Sequence, residues 1–288
     1  MNKVMSDRIS NKQTVWNLIN IKARREQTSK HYVEAFRTLY EVDPLVSLQR
    51  GGKSASLKSV IFSETLDENN VPQWIHICLL SYTIVDSDAF YNKRSREDVI
   101  LSDWNEDLVA NKKEADLYFI PSTHTLAIQS SSKITLKNVV FYLSEALNQI
   151  EPETFDVDVI VERDILERIS NAYAVTHLYA NISYSNPGHS AGFEAAFDDK
   201  LRRMAANRIE IIASGSKENP LNNEEDGLFQ AILNLSEQNG YVKATILPSE
   251  NGKIEKIDSS AHPRRLVVPQ IINDVRSTIY NAIRNLFH

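Results

Sequence analysis

The segment Asp116-Leu-Tyr-Phe-Ile-Pro-Ser-Thr-His-Thr-Leu-Ala-Ile-Gln-Ser130 decides the fold, together with the residues that follow it. Two apolar runs, 117–120 and 125–129, flank Pro121-Ser-Thr-His124, and this order predicts a β-hairpin. Apolar residues then recur at helical spacing over 136–150, where the Thr135 hydroxyl is placed to cap the first turn. The segment therefore predicts a folded core of strands and helix, and it carries no chemistry of its own.

The chain on either side of this segment alternates between predicted strands and helices. Upstream we expect a strand over 15–23, strands over 57–62 and 73–85, and a helix over 30–41 that Ser29 caps. The apolar positions of that helix predict its buried side: Val33, Phe36, Leu39 and Tyr40. Downstream we expect a strand over 155–161, a helix over 163–172 and a strand over 175–185. This order predicts an α+β fold with mixed, largely antiparallel sheets and packed helices.

We predict two regions, an α+β sheet domain over residues 1–185 and a helix-rich region over 186–288. The second region is predicted to hold helices over 191–213 and 224–238 and a β-hairpin over 241–258. Its last helix, 270–287, has one face that is apolar along its full length. That face must pack back on the body of the protein or form a dimer interface.

The composition limits the class of protein. Hydrophobic residues make up 42% and charged residues 24%, which is typical of a globular chain. The net charge of −6 argues against a surface that is basic throughout, although it permits a local basic face. The single cysteine, Cys78, excludes an intrachain disulfide and a thiolate-rich zinc site. With no apolar run long enough for a signal peptide or a membrane helix, we expect a cytoplasmic protein.

Gly188-His-Ser-Ala-Gly192 matches the nucleophile elbow of serine hydrolases, and Asp258 and His262 follow it in the order serine, acid, histidine. An elbow serine directly follows a buried apolar strand, whereas Asn186-Pro187 intervenes here and the preceding strand alternates polar and apolar residues. A loop rich in small residues at a helix start explains the motif better. A serine hydrolase that uses Ser190 remains the alternative.

Two other motifs also have ordinary explanations. Gly51-Gly-Lys-Ser54 has the ending of a phosphate-binding loop, but Ser47 stands where the motif requires glycine and a strand is predicted to follow, so we expect a flexible loop. Asp156, Asp158 and Glu162 share one side of a strand, as metal-binding carboxylates do, but a solvated strand face accounts for them. We therefore predict no catalytic residues, no metal site and no cofactor.

Basic residues form clusters that are suited to phosphate contacts, because guanidinium and ammonium groups bind phosphate by charge and hydrogen bonds. Any one of these clusters could instead be an ordinary solubilising surface, and the sequence does not show whether they share a face. The clusters that we predict to bind nucleic acid consist of Lys93, Arg94, Arg96, Arg202, Arg203, Arg264 and Arg265.

The C-terminal half resembles an uncharacterised bacterial family known only as a domain of unknown function, which occurs in mobile and phage-defence loci. The similarity lies in the strand before Asn186-Pro187, the predicted helix that leads to Lys217 and the helix that ends at Asn239-Gly-Tyr241. The order of elements, with Lys93-Arg-Ser-Arg96 ahead of the hairpin, is also loosely similar to RexA-like phage exclusion proteins. That resemblance implies a two-part α/β dimer that binds DNA and acts in abortive infection.

Taken together, we expect a non-catalytic anti-phage defence protein that binds DNA and self-associates as a homodimer or with a partner defence protein. The alternatives are the serine hydrolase and a non-enzymatic scaffold subunit of a multi-protein defence complex.

Overall fold

The structure is a computed structural model that describes residues 13–24, 28–48, 52–86, 88–100, 105, 107–183, 193–204, 206–224, 227–269 and 275–287. Its helices are α1 (Ser29–Val42), α2 (Leu136–Ile150), α3 (Arg163–Ser170), α4 (Phe193–Arg203), α5 (Leu228–Asn239) and α6 (Val275–Phe287). Its strands are β1 (Gln13–Ala23), β2 (Val46–Ser47), β3 (Lys53–Phe62), β4 (Ile75–Ile84), β5 (Phe90–Asn92), β6 (Glu97–Val99), β7 (Val109–Ile120), β8 (Thr125–Gln129), β9 (Phe155–Val159), β10 (Ala174–Ser183), β11 (Arg208–Ser214), β12 (Gly240–Leu247), β13 (Glu255–Asp258) and β14 (Arg265–Pro269).

The larger sheet has the strand order β14-β1-β8-β7-β4-β3-β2, and β9 also pairs with β1. The pairings between its strands are antiparallel, which confirms the predicted fold class. The predicted hairpin forms from β7 and β8, joined by a 3₁₀ turn at Pro121–Thr123 that ends with His124 in the left-handed conformation. The hairpin therefore supplies two central strands, as its apolar sequence requires.

Helices α1 and α2 cover one face of this sheet and bury the largest apolar cluster of the described chain. The Thr135 hydroxyl accepts a hydrogen bond from the Asn138 amide at 3.3 Å, so the predicted cap of α2 is confirmed. In α1 the cap is Thr28 rather than Ser29, because the Thr28 hydroxyl accepts from the His31 amide. Tyr40 was also predicted wrongly, since it lies on the exposed side of α1.

Helix α6 packs on the opposite face of the larger sheet. Its residues Ile279 and Ile283 are fully buried in a cluster with Trp16, Leu18 and Val268. The apolar face predicted for the last helix is therefore covered by the body of the protein. Strand β14, which the sequence did not predict, provides part of that surface.

The smaller sheet has the order β11-β10-β12-β13, and it buries a second apolar cluster against α3 and α5. The helix predicted over 191–213 is wrong beyond Arg203, because residues 208–214 form β11. Within β11, Ile209, Ile211 and Ala213 pack on this cluster at alternate positions, and this period of two belongs to a strand. The division of the chain at 185/186 stays a prediction, although β10 on one side pairs with β11 and β12 on the other.

Candidate nucleic-acid interface

A short two-stranded ribbon, β5 paired with β6, presents the first predicted basic cluster at its turn. The Asn92 side-chain oxygen accepts hydrogen bonds from the amides of Arg94 at 2.9 Å and Ser95 at 3.1 Å. The Arg96 amide closes the turn on the Asn92 carbonyl at 2.8 Å, and Arg96 adopts a positive φ of 62°. An asparagine at the start of a turn stabilises this geometry, so the sequence itself shapes the ribbon tip.

The ribbon tip carries three positive charges in four residues. Lys93, Arg94 and Arg96 are exposed, and none of them forms an ion pair with another described residue. The exposed Glu97 and Asp98 follow in β6, so the positive charge is confined to the turn. Guanidinium and ammonium groups in this setting are available to phosphate oxygens.

The second predicted cluster, Arg202 and Arg203, lies at the end of α4. Arg203 is exposed and pairs with Asp199 one turn earlier, with 2.7 Å between Nη2 and Oδ2. The side chain of Arg202 lies outside the described part of the chain. Arg203 is therefore available at the surface, with its charge partly balanced.

The third predicted cluster consists of Arg264 and Arg265, and the two residues have different environments. Arg264 is half-buried, donates to the Glu237 carboxylate at 3.3 Å and lies over the Phe287 ring at 5.5 Å. It therefore joins α5 and α6 to the start of β14. Arg265 is exposed, and its backbone amide donates to the Glu162 carboxylate at 3.1 Å. The basic clusters thus occupy three different parts of the fold, and among the described side chains only the ribbon tip gathers three predicted residues in one place.

A buried ionic cluster joins the two sheets, and the sequence did not predict it. Lys22 of β1 donates from Nζ to the Ser183 hydroxyl at 2.6 Å and to the Asn239 side-chain oxygen at 3.1 Å. Its Nζ also lies 3.5 Å from Asp158 Oδ2. Arg208 donates from Nη2 to the other oxygen of the same carboxylate. These five residues come from four strands and the end of α5, and we call them the buried cluster.

Electrostatics in the buried cluster are set by burial and by opposite charges. Burial lowers the pKa of Lys22, against the opposing attraction of Asp158 and Asp156. For Asp158, burial alone would raise the pKa, but the charges of Lys22 and Arg208 outweigh it and the pKa is lowered. The carboxylate therefore stays ionised between the side chains of Lys22 and Arg208.

The acidic residues of β9 do not form the solvated face that the sequence predicted. Asp156 and Asp158 are only 4% and 6% exposed. Arg24 binds Asp156 in a two-pronged arrangement, with Nε and Nη2 at 2.9 and 3.0 Å from the carboxylate oxygens. The prediction failed because Lys22 in β1 and Arg24, directly after it, each bind one of these carboxylates. In the part of the chain that the structure describes, no group of three or more metal-binding side chains forms.

One signal for the buried cluster was present in the sequence. Lys22 ends the otherwise apolar and amide-bearing run Leu18-Ile-Asn-Ile-Lys22, and a lysine in a strand predicted to be buried requires a partner. Which acid serves as that partner depends on strand pairing. The structure pairs β1 with β9, and Lys22 then binds Asp158 while Arg24 binds Asp156.

A large cleft opens beside the buried cluster, between α2 and the smaller sheet, with a volume of about 1190 Å³. Its charged lining comes from several elements and consists of Lys137, Asp158, Arg208, Lys243, Asp258 and Arg265. Arg208 also has its Nε atom buried without a hydrogen-bond partner. The cleft therefore has a large open volume and is lined by a guanidinium group that has a donor without a hydrogen-bond partner.

The two catalytic look-alike motifs do not gain support. Residues 188–192 lie outside the described residues, and Asp258 binds Ser260 and Lys243 rather than His262. Lys53 and Ser54 begin β3, so a strand follows the glycines where a phosphate-binding loop needs a helix. The flexible loop predicted at this position is wrong for those two residues, because β3 pairs with β2 and β4.

Comparisons with known proteins identify a family for this chain. Among the described residues, the helices are too short or too polar to span a membrane. A search of curated proteins found no match. A comparison with protein families matches residues 12–286 to a domain of unknown function, DUF4747. Because this match covers nearly the whole chain, the protein belongs to the DUF4747 family.

Proposed function

We propose that this protein binds DNA through the ribbon tip, and that it acts without catalysis in cytoplasmic anti-phage defence and self-associates. The observation that carries DNA binding is the ribbon tip itself, with Lys93, Arg94 and Arg96 exposed on one ordered turn. Two-stranded ribbons fit the grooves of DNA, and cations at such a tip lie close to the phosphates.

The remaining predicted residues have secondary places in this proposal. Arg203 and Arg264 each have a carboxylate partner within the chain, so binding phosphate would compete with an existing ion pair. Arg202 and Arg265 would extend the contact. The role in phage defence rests only on the resemblance to phage-exclusion proteins.

Self-association through α6 would have to use its outer side, because Ile279 and Ile283 are buried within the chain. The mass in solution, measured by light scattering after size exclusion, decides this part of the proposal. A monomer at tens of micromolar would remove self-association and leave DNA binding untouched.

A gel-shift titration with a 20-base-pair duplex at increasing salt tests DNA binding. Replacing Lys93, Arg94 and Arg96 together by Gln should weaken binding at low salt. It should also reduce the slope of log K against log salt by about 3, because each phosphate contact contributes roughly 0.9. The absence of any retardation at low salt would refute DNA binding, since electrostatic attraction is strongest there.

The matched control replaces three other exposed cations, Lys58, Arg163 and Arg168, by Gln. This variant loses the same net charge, so it separates a local effect from a change in overall charge. The proposal expects its binding curve to stay close to that of the unmodified protein. If both variants lose affinity equally, the ribbon tip is not the binding site.

A further inference from the structure

The cleft between α2 and the smaller sheet has an excess of positive charge, in a chain whose net charge is −6. Lys137 and Arg265 line it and form no ion pair with another described residue. Lys243 is balanced by Asp258, at 3.6 Å between Nζ and Oδ2. Asp158 is already shared by two cations of the buried cluster. A local positive potential of this kind attracts anions.

Arg208 contributes more than charge to the cleft. Its guanidinium group offers five N–H donors, and Nη2 donates to Asp158. The Nε atom is buried and has no hydrogen-bond partner. Because the Arg208 side chain lines the cleft and is 33% exposed, its remaining N–H donors, rather than the buried Nε, are available to a ligand oxygen.

The rest of the lining suits a ligand with both polar and flat apolar parts. Phe141 and Tyr241 line the cleft, and hydroxyl and amide side chains also line it. The first turn of α2 also borders the cleft, so its partial positive charge adds to that of the side chains. The volume of about 1190 Å³ is ample for a nucleotide, since typical ligand pockets span roughly 300–1,000 Å³.

We propose that this cleft is a second binding site, separate from the ribbon tip, and that it takes a phosphorylated ligand of nucleotide size. Arg208, Arg265 and Lys243 bind the phosphate groups, and Tyr241 and Phe141 provide apolar surface for a base. The ribbon residues do not line the cleft, whereas Arg265, which would extend the DNA contact, does. The ribbon-tip variant, rather than Arg265→Gln, therefore separates the two sites.

Calorimetric titration of the full chain tests the proposal, with ATP, inorganic pyrophosphate, adenosine and a 12-nucleotide single strand as probes. ATP and pyrophosphate should bind, and adenosine should bind far more weakly because it lacks phosphate. Arg265→Gln and Lys243→Gln should each weaken ATP binding by about tenfold, as loss of one hydrogen bond to a charged group predicts. Both residues are exposed, so these variants leave the core intact.

The matched control is Lys256→Gln, which removes an exposed lysine of β13 in the same sheet that does not itself line this cleft. Its affinity for ATP should equal that of the unmodified protein. The triple Gln variant of the ribbon tip should also bind ATP normally, which separates the two sites. If the triple Gln variant fails to bind DNA, the proposal of a ligand site in the cleft is unaffected.

Three outcomes would overturn the proposal. The first is no binding of ATP or pyrophosphate at millimolar concentration. The second is equal loss in Lys256→Gln and in the cleft variants, which would indicate a nonspecific charge effect. The third is binding of the oligonucleotide alone, which would assign the cleft to the DNA surface rather than to a small ligand.

Discussion

Replacing Lys22 by Met should destabilise the whole protein, because Lys22 is the centre of the buried cluster. Methionine has a similar length and no charge, so the change removes the ammonium group and leaves most of the packing. Lys22 is 1% exposed, and its Nζ contacts Ser183, Asn239 and Asp158 within 3.5 Å. The substitution therefore removes two hydrogen bonds and one ion pair that water cannot replace.

The size of the effect follows from opposing contributions. Hydrogen bonds to a charged group contribute about 1.5–3 kcal/mol each, and any buried acceptor that loses its donor costs about 1–3 kcal/mol more. The substitution also removes the desolvation cost of the ammonium group, which is several kcal/mol and opposes these losses. Asp158 keeps Arg208 as a partner, which limits the loss. Removal of one partner of a buried pair typically costs about 3–5 kcal/mol, and we expect a value in this range.

Urea unfolding followed by circular dichroism measures this loss. Lys58→Met is the matched control, because Lys58 forms an exposed ion pair with Glu114 on the larger sheet. Exposed pairs contribute little, so its unfolding midpoint should barely move. In the double variant Lys22→Met/Asp158→Asn, the losses should not add, because the two residues act on each other. A loss below about 1 kcal/mol in Lys22→Met would refute the reasoning, since it would mean that the cluster does not hold the sheets together.

Three further changes test other parts of the structure. Gly240→Ala should prevent stable folding, measured by yield and circular dichroism, because the added Cβ would lie 1.9 Å from the Asn181 carbonyl oxygen and Gly240 has a φ of 150°. Thr135→Ala should lower the free energy of unfolding by about 1 kcal/mol in urea titrations, through loss of the α2 cap. The pKa of Glu114 is lowered from 4.5 to about 2, chiefly by its hydrogen bond from Lys58. Because the folded pKa is the lower one, the small stabilisation by this exposed carboxylate is present above pH 4.5 and is lost as the pH falls toward 2. NMR titration of Glu114 should find the low midpoint.

Local patterns were sufficient to predict much of the larger sheet. The hairpin of β7 and β8 and the helix α2 carry their own turn, cap and apolar stripe, so short-range chemistry determines them. The helix prediction failed over residues 208–214 because this stretch fits both the 3.6-residue period of a helix and the two-residue period of a strand. Its branched residues continue the helical spacing of α4, but they also occupy alternate positions as in a strand. Pairing with β10 stabilises the strand.

The candidate sites also differ in whether a local sequence pattern could predict them. The basic cluster at the ribbon tip was predicted from sequence, since its cations are neighbours in the chain, but the ribbon itself was not predicted. The cleft and the buried cluster were missed because their residues are far apart in sequence, with Lys22 and Asn239 separated by 217 positions. Only sheet register brings such residues together, and no local pattern records it.

The buried cluster and the cleft share Asp158 and Arg208, so the contacts that join the two sheets also determine the charge that the cleft presents. Asn20 adds a neutral link, because its amide donates to the Gln238 carbonyl at 3.0 Å. A ligand in the cleft would accept hydrogen bonds from a group that already bridges β9 and β11, and it would bind only where both sheets are folded. Binding to the folded state alone should raise the free energy of unfolding by about 2.7 kcal/mol at a ligand concentration of 100 Kd. At the same ligand concentration the increment should be smaller in Arg265→Gln, because the Kd of this variant is higher. The loss of stabilisation should match the rise in Kd that calorimetry measures.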